Sequence, residues 1–191
     1  SDGVLVPPRG ELPADPTSLT KVFAGDPQNE AWTSDLHLDD EGRPYVAYSV
    51  HKSNEDHRYR YARWDGQRWR DDEIAFAGRR LYHGQSHYTG NIALDPNDPA
   101  VVYISTDADP ATGEPLISGA DGKRHYEIFR GTTADAGNSW SWHPLTENSG
   151  VDNIRPVVPM WDRQHTAVLW LRGRYRRYTD YDLEVVGVIL G

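Results

Sequence analysis

The sequence contains no cysteine. This absence excludes disulfide bonds, thiolate metal sites and thiol redox chemistry. No apolar stretch approaches the roughly 20 residues that a membrane-spanning helix needs, so we expect no membrane partner. Positive charge is also scarce, with a net charge of −9. Because phosphate binding requires a basic surface, this balance argues against a nucleic-acid partner and means that an anionic ligand would need a local basic pocket.

Aromatic and turn-forming residues are abundant, with 7 Trp, 11 Tyr, 17 Gly and 13 Pro. They favour strands and turns, and long helical periodicity is absent. We therefore predict an all-β chain in which short strands occur in three successive units. The predicted strands are residues 32–39, 44–50, 57–64 and 69–77, then 88–94, 101–106, 125–131 and 139–143, then 153–161, 167–172 and 183–190.

The first two units align with each other. The pairs LHLD (36–39) with YVAY (45–48) and IALD (92–95) with VYIS (102–105) have the same order and similar spacing. Units of four antiparallel strands repeated at this spacing are typical of β-propeller blades. A β-sandwich with accidental internal similarity is the alternative.

Residues 133–140, TADAGNSW, fit the pattern S/T-x-D-x-G-x-x-W of an Asp box. Here the chain resembles the sialidase-like propellers built from bacterial neuraminidase repeats. In such a turn we expect Asp135 to accept hydrogen bonds from turn amides, Gly137 to adopt a positive φ and Trp140 to pack between sheets. An incomplete copy, WDGQRW at residues 64–69, occurs at the equivalent turn of the first unit.

The resemblance also makes a prediction about domain organisation. Residues 26–191 hold about three blades, whereas sialidase-like propellers have six or seven, so the chain is predicted to be the C-terminal part of a larger propeller. Residues 1–25 would contain the end of a preceding blade, with a strand at 19–24, after a Pro-rich connection. Three blades leave an open edge strand, so we expect another chain or segment to complete the ring.

Propeller topology places the loops that enter first strands and the loops that leave second strands on one face. In this chain those loops are rich in His, Arg and Tyr. They contain Asn29, Glu30, Trp32, His51 and Lys52 in the first unit, His83, Ser86, His87, Tyr88, Asp107 and Asp109 in the second, and Asp152, Asn153, Arg155, Arg172, Arg174 and Tyr175 in the third. Arginines bind carboxylates and aromatic rings stack on sugars, which indicates an acidic poly- or oligosaccharide ligand.

Residues 85–90, 152–156 and 170–175 resemble segments of propeller polysaccharide lyases that act on rhamnose–uronate linkages. The resemblance implies β-elimination on a uronate-containing glycan by a secreted or periplasmic protein. It implies His87 as the base, Tyr88 as the acid and His125 as a reserve base. Substrate binding would fall to Asn153, Arg155, Arg172, Arg174 and Tyr175. Removal of the uronate C5 proton requires stabilisation of the developing enediolate, which an aimed arginine provides.

Two other functions are compatible with the same residues. A sialidase-like glycoside hydrolase would use Tyr175 as nucleophile and Asp107 as acid. A non-catalytic glycan-binding propeller would hold the sugar without chemistry. No cofactor is required by any of these functions, although Asp107, Asp109 and Glu114 supply the hard oxygen ligands that calcium prefers.

Overall fold

A computed structural model describes residues 20–191, and no helix among these residues is long and apolar enough to cross a membrane. The described residues form eleven strands and no α-helix. The strands are β1 Glu30–Leu38, β2 Pro44–Ser53, β3 Asp56–Trp64, β4 Trp69–Gly78, β5 Ile92–Leu94, β6 Val101–Thr106, β7 Glu127–Thr132, β8 Ser141–Pro144, β9 Asp152–Val157, β10 Thr166–Arg177 and β11 Asp180–Leu190.

These strands form three antiparallel sheets, in the orders β1-β2-β3-β4, β5-β6-β7-β8 and β9-β10-β11. The all-β prediction is confirmed, and each predicted unit corresponds to one sheet. The three sheets do not form a closed ring among the described residues.

Three predicted strands are wrong in part. The predicted strand 153–161 ends at Val157, so residues 158–161 lie outside β9. Residues 88–91 lie outside β5 and belong to the loop before it, because their backbone carbonyls accept hydrogen bonds from three separate segments, at Leu81, Arg155 and Ser105, and do not form a continuous ladder with β6. Residues 20–24 have no strand assignment, although Val22 and Phe23 pack against the outer face of the first sheet. The rest of the predicted connection, residues 1–19, lies outside the described residues.

The sheets pack face to face, with the second between the other two. Side chains alternate along a strand, so β6 presents Val102 and Ile104 to the first sheet and Tyr103 to the third. The third sheet meets Tyr103 with Val168 and Trp170. Both faces of β6 are therefore buried, and removal of its apolar surface from water is a main source of stability.

Tyrosine hydroxyl groups join the first sheet to the second. Tyr45 donates to the Asp95 carbonyl at 2.7 Å, and Tyr59 donates to the Ser105 carbonyl at 2.8 Å. A satisfied buried hydrogen bond contributes about 1 kcal/mol, and loss of its donor would leave a buried carbonyl unpaired. These bonds fix the first sheet against the second, and the candidate site lies where these two sheets meet the third.

The Asp-box turn has the predicted geometry. Asp135 accepts hydrogen bonds from the Ser139 amide at 2.9 Å and the Ser139 hydroxyl at 2.6 Å, and the bonds of Ser139 lower the pKa of Asp135 to about 2. Gly137 has a φ of 103°, and Trp140 packs edge-on against Tyr61 of the first sheet. The turn therefore ties the β7–β8 connection to the neighbouring sheet.

Candidate functional site

A cavity of about 250 Å³ opens where all three sheets meet. Its walls come from β1, β2, the loop that precedes β5, and β9. The lining residues are Trp32, Thr33, Ser34, Ser49, His87, Tyr88, Thr89, Asn91 and Arg155. Three of the predicted site residues, the base, the acid and one carboxylate-binding arginine, therefore share one cavity.

The loop of residues 82–91 is held firmly in place. The Leu81 amide donates to the Tyr88 carbonyl at 2.6 Å, and His57 Nε2 donates to the Ser86 carbonyl at 2.6 Å. Gly90 lies so close to the Ser105 backbone that a Cβ could not fit there. Tight packing at both ends of the loop fixes the position of the His87 and Tyr88 side chains.

Arg155 enters the cavity from a strained backbone. Its φ is 55°, a left-handed conformation that costs a non-glycine residue about 1–2 kcal/mol. The strain is maintained by a 2.6 Å hydrogen bond from the Arg155 amide to the Gly90 carbonyl. Asn91, which also lines the cavity, has a φ of 82°. Strained backbone is often found at ligand sites, so the conformation of Arg155 favours this cavity as the candidate site.

The Arg155 guanidinium lies between two tyrosine rings, with its central carbon 5.6 Å from the ring centres of Tyr88 and Tyr175. In the part of the chain that the structure describes, it forms no ion pair with a carboxylate, in contrast to Arg172 and Arg176. Cation–π contacts position the group without neutralising it. Arg155 therefore offers an uncompensated positive charge to an anionic ligand in the cavity.

His87 is held by a carboxylate. Its Nε2 contacts Glu30 Oε2, and its ring centre lies 4.8 Å from that of His51. A proton on Nε2 donates to Glu30, which leaves the lone pair of Nδ1 free to accept a proton. This carboxylate–imidazole pair is the arrangement that orients a general base.

The other two predicted arginines do not reach the cavity. Arg172 is exposed on β10 and forms a 2.6 Å ion pair with Glu184 of β11. Arg174 is also exposed and is opposite Asp182 in the same pair of strands. The prediction that Arg172 converges with His87 and Arg155 is corrected, because the register of β10 with β11 places acidic partners opposite both arginines.

Asn153, which was predicted to bind substrate, lies outside the cavity lining in a buried hydrogen-bond network. Its side chain is buried, and its amide nitrogen donates to Glu127 at 3.1 Å and to Ser149 at 2.9 Å. Its amide oxygen accepts a 2.9 Å bond from Trp170 Nε1. Both amide N–H groups and one lone pair of the oxygen are therefore used in a buried network that joins β7, β9 and β10. Tyr175, the remaining predicted binding residue, supports Arg155 from outside the cavity lining.

His125 lies in a different part of the molecule from His87. Its Nδ1 and Nε2 contact Asp152 at 3.1 Å and Asp121 at 3.2 Å. A neutral imidazole has only one N–H, so two carboxylate partners require the charged form. Burial disfavours that charge, but the hydrogen bonds outweigh it and raise the pKa of His125. Both ring nitrogens of His125 are engaged by carboxylates, so this geometry leaves neither free to accept a proton from a ligand and does not support the reserve-base role.

The raised pKa of His125 predicts a pH-dependent stability. The group contributes fully below the unfolded pKa of about 6.5, and the contribution is lost as pH rises through the folded pKa. We expect the free energy of unfolding to fall over that window with a slope of at most about 1.4 kcal/mol per pH unit from this group. Urea unfolding at several pH values should show the fall in the wild type, and His125→Gln should flatten it. An unchanged slope in the variant would contradict the assignment. The titratable and charged side chains around His125 are those of Asp121, Asp152, Glu55, Arg79, Arg80, His83, Lys123 and Arg124.

Asp107 has a structural role that leaves it unsuited to the acid or calcium role. It is fully buried and forms ion pairs with Arg79 at 2.6 Å and Arg124 at 2.9 Å. Asp109 accepts hydrogen bonds from the amides of Ala111 and Thr112 in its own turn. The two Asp107 oxygens are thus paired with arginines and Asp109 Oδ1 with its own turn, which weakens the case for Asp107 as an acid or as a calcium ligand.

Several cavity residues were missed by sequence reasoning. Thr33, Ser34, Ser49 and Thr89 are small polar residues of the lining, and nothing in their sequence context distinguishes them from other strand residues. The sequence predicted that Glu30 lies on the same face as His87, but it assigned no catalytic or binding role to Glu30. Its position opposite His51 depends on the β1–β2 register, which the sequence pattern alone does not give.

Comparison with known proteins found no matching family model, no matching curated protein and no matching solved structure. The assignment of function therefore rests on the chemistry of the cavity and on the fold around it.

Proposed function

We propose that this protein binds a uronate-containing polysaccharide of the rhamnose–glucuronate type in the cavity and cleaves it by β-elimination. The proposal rests on the surroundings of Arg155. Its backbone is strained, its guanidinium contacts two tyrosine rings, and it pairs with no carboxylate among the described residues. It shares the cavity with His87, a histidine that the carboxylate of Glu30 orients. An anionic ligand that also has a removable proton satisfies both groups, and a uronate residue is such a ligand.

The proposed reaction uses three side chains. Arg155 binds the uronate carboxylate and stabilises the enediolate that develops as the C5 proton leaves. His87 Nδ1 accepts that proton, and Tyr88 donates its hydroxyl proton to the departing O4. The C5–H and C4–O4 bonds break, and a C4–C5 double bond forms in the new non-reducing end. Atoms and electrons balance without a metal or a redox cofactor.

Aromatic side chains at the cavity support a sugar ligand. Trp32 is 48% exposed and packs edge-on against Tyr88, with ring centres 5.5 Å apart. An exposed Trp beside a polar cavity offers a flat apolar face to a pyranose ring. The same feature supports the second candidate, a glycan-binding protein without catalysis, which differs only in the absence of turnover. Either function suits a secreted or periplasmic protein, where such polymers are found.

We also propose that the three sheets are blades of a sialidase-like propeller. The face-to-face order of the sheets and the Asp-box turn support this interpretation. The outer side of the third sheet exposes apolar side chains that another chain or segment would cover in a complete ring. These are Val157, Leu169, Val185 and Ile189.

The proposed activity is tested by incubating the protein with rhamnose–glucuronate polymers and following the ultraviolet absorbance of the unsaturated uronate. We expect the wild type to produce this absorbance. His87→Ala should lower the rate at least about 100-fold while substrate binding changes little, because a base lowers the barrier more than it stabilises the ground state. His165→Ala is the matched control, since His165 is also paired with a carboxylate, that of Asp162, but is exposed in the connection between β9 and β10 and does not line the cavity.

The outcomes separate the candidate functions. Binding of the polymer without any product would favour the glycan-binding protein. Release of reducing ends without the absorbance would favour a hydrolase. An undiminished absorbance rise in His87→Ala would contradict the role of His87.

A further inference from the structure

Three side chains beside the cavity form a candidate metal site. Glu30 on β1 and His51 on β2 are direct cross-strand partners, so their side chains project from the same face of the first sheet. His87 reaches them from the loop before β5. One ligand atom from each residue can be chosen so that all three lie within 4.8 Å of one another, and no other group of this kind is found in residues 20–191.

A second observation concerns His51 itself. Its Nε2 is buried and has no hydrogen-bond partner among the residues that the structure describes. A buried nitrogen without a partner is unfavourable, and a bound water or ion is one way to satisfy it. Nδ1 of the adjacent His57 is also buried without a partner among the described residues. The neighbouring His57 cannot be that partner through its own Nε2, which is already bonded to the Ser86 carbonyl at 2.6 Å.

We propose that Glu30, His51 and His87 bind a divalent transition-metal ion of the zinc type. Two imidazoles and one carboxylate leave a fourth position open, as in zinc sites with three protein ligands. Imidazole nitrogens favour zinc, copper or nickel over calcium and magnesium. Tetrahedral zinc sets its ligand atoms about 3.3 Å apart, so binding requires the Glu30–His87 contact to lengthen. Glu30 is exposed at the start of β1 and has the freedom to move.

The metal would regulate the proposed reaction, and this part rests on the proposed function. The His87 nitrogen that faces Glu30 is Nε2. When a metal occupies Nε2, the proton of the neutral ring must lie on Nδ1, which can then no longer accept the C5 proton. Metal binding is therefore an inhibitory switch at the catalytic base.

Binding is tested by calorimetric titration of the metal-free protein with Zn²⁺. We expect one equivalent to bind, and Ca²⁺ at the same concentration not to bind. His51→Ala and Glu30→Gln should each weaken zinc binding at least about 100-fold, since loss of a ligand costs no less than loss of an outer-shell partner. His165→Ala should bind like the wild type. Circular dichroism of each variant shows whether it is folded.

Equal zinc affinity in wild type and His51→Ala, or loss of affinity in His165→Ala, would overturn the site. The regulatory part is tested by adding zinc during elimination: the wild-type rate should fall as the site fills, and any rate that remains in His51→Ala should be insensitive to zinc. Zinc binding without inhibition would overturn the switch alone. If no elimination occurs at all, calorimetry still decides whether the site exists, so the two proposals fail separately.

Discussion

Arg155→Ala is expected to lower kcat/KM for a uronate polymer about 100- to 1,000-fold, the effect of removing one aimed group that stabilises transition-state charge. The loss should appear mainly in kcat, because the enediolate carries more charge than the bound carboxylate. Alanine in the left-handed conformation costs about as much as arginine, so the fold should be retained. Initial-rate measurements at several polymer concentrations give the split between kcat and KM.

Arg172→Ala is the matched comparison. Arg172 has the same charge but is exposed and paired with Glu184, outside the cavity lining. We expect its rate to stay within about threefold of the wild type, because an exposed ion pair contributes little. Arg155→Lys should recover only part of the loss, since lysine keeps the charge but not the planar fork that stacks between two tyrosines. Equal losses in Arg155→Ala and Arg172→Ala would show that the carboxylate binds elsewhere.

Asp107→Asn is expected to destabilise the protein by about 3 kcal/mol, near the lower end of the range for breaking a buried ion pair. Asp107 is fully buried and joins Arg79, at the end of β4, to Arg124, which precedes β7. Asparagine has nearly the same shape but leaves both guanidinium groups without their anion. The two arginines are partly exposed, so water recovers some of the loss. Urea unfolding gives the change in midpoint at constant slope.

Asp40→Asn provides the control for loss of an aspartate charge. Its ion pair with Arg163 joins side chains that are 80% and 82% exposed, and we expect a change below about 0.5 kcal/mol. If Asp107→Asn were as mild as this control, the buried network would not be a determinant of stability.

The strands and the Asp-box turn could be predicted because their signals are local. Nine of the eleven strands overlap the predicted ranges over most of their length, β10 overlaps its range over half of its length, and β5 forms the last three residues of its range. The side chain of Asp135 forms its hydrogen bonds within the turn itself, so the residues of the motif are sufficient to predict the conformation of the turn. The strand prediction was wrong at residues 88–91. These residues form a loop whose backbone hydrogen bonds go to residues distant in sequence, and the local alternation of polar and apolar side chains does not reveal such bonds.

The candidate site was only partly predictable for a related reason. Sequence order placed His87, Arg155, Arg172 and Asn153 at one end of the strands, but it could not show which side chains face inward. Asn153 is buried because Trp170 and Glu127 reach it from other strands. Arg172 is neutralised because register places Glu184 opposite it.

The sequence by itself determined an all-β chain without thiol chemistry, built from three repeated units, with one complete Asp-box pattern. These properties depend on residue type and on neighbours within about ten positions. Only the tertiary structure decided that His87, Tyr88 and Arg155 share a cavity, that Glu30 and His51 lie beside it, and that His125 does not. Those placements depend on contacts between sheets whose residues are far apart in sequence. A shift of strand register by one residue moves a side chain to the opposite face of its sheet, from a cavity to solvent.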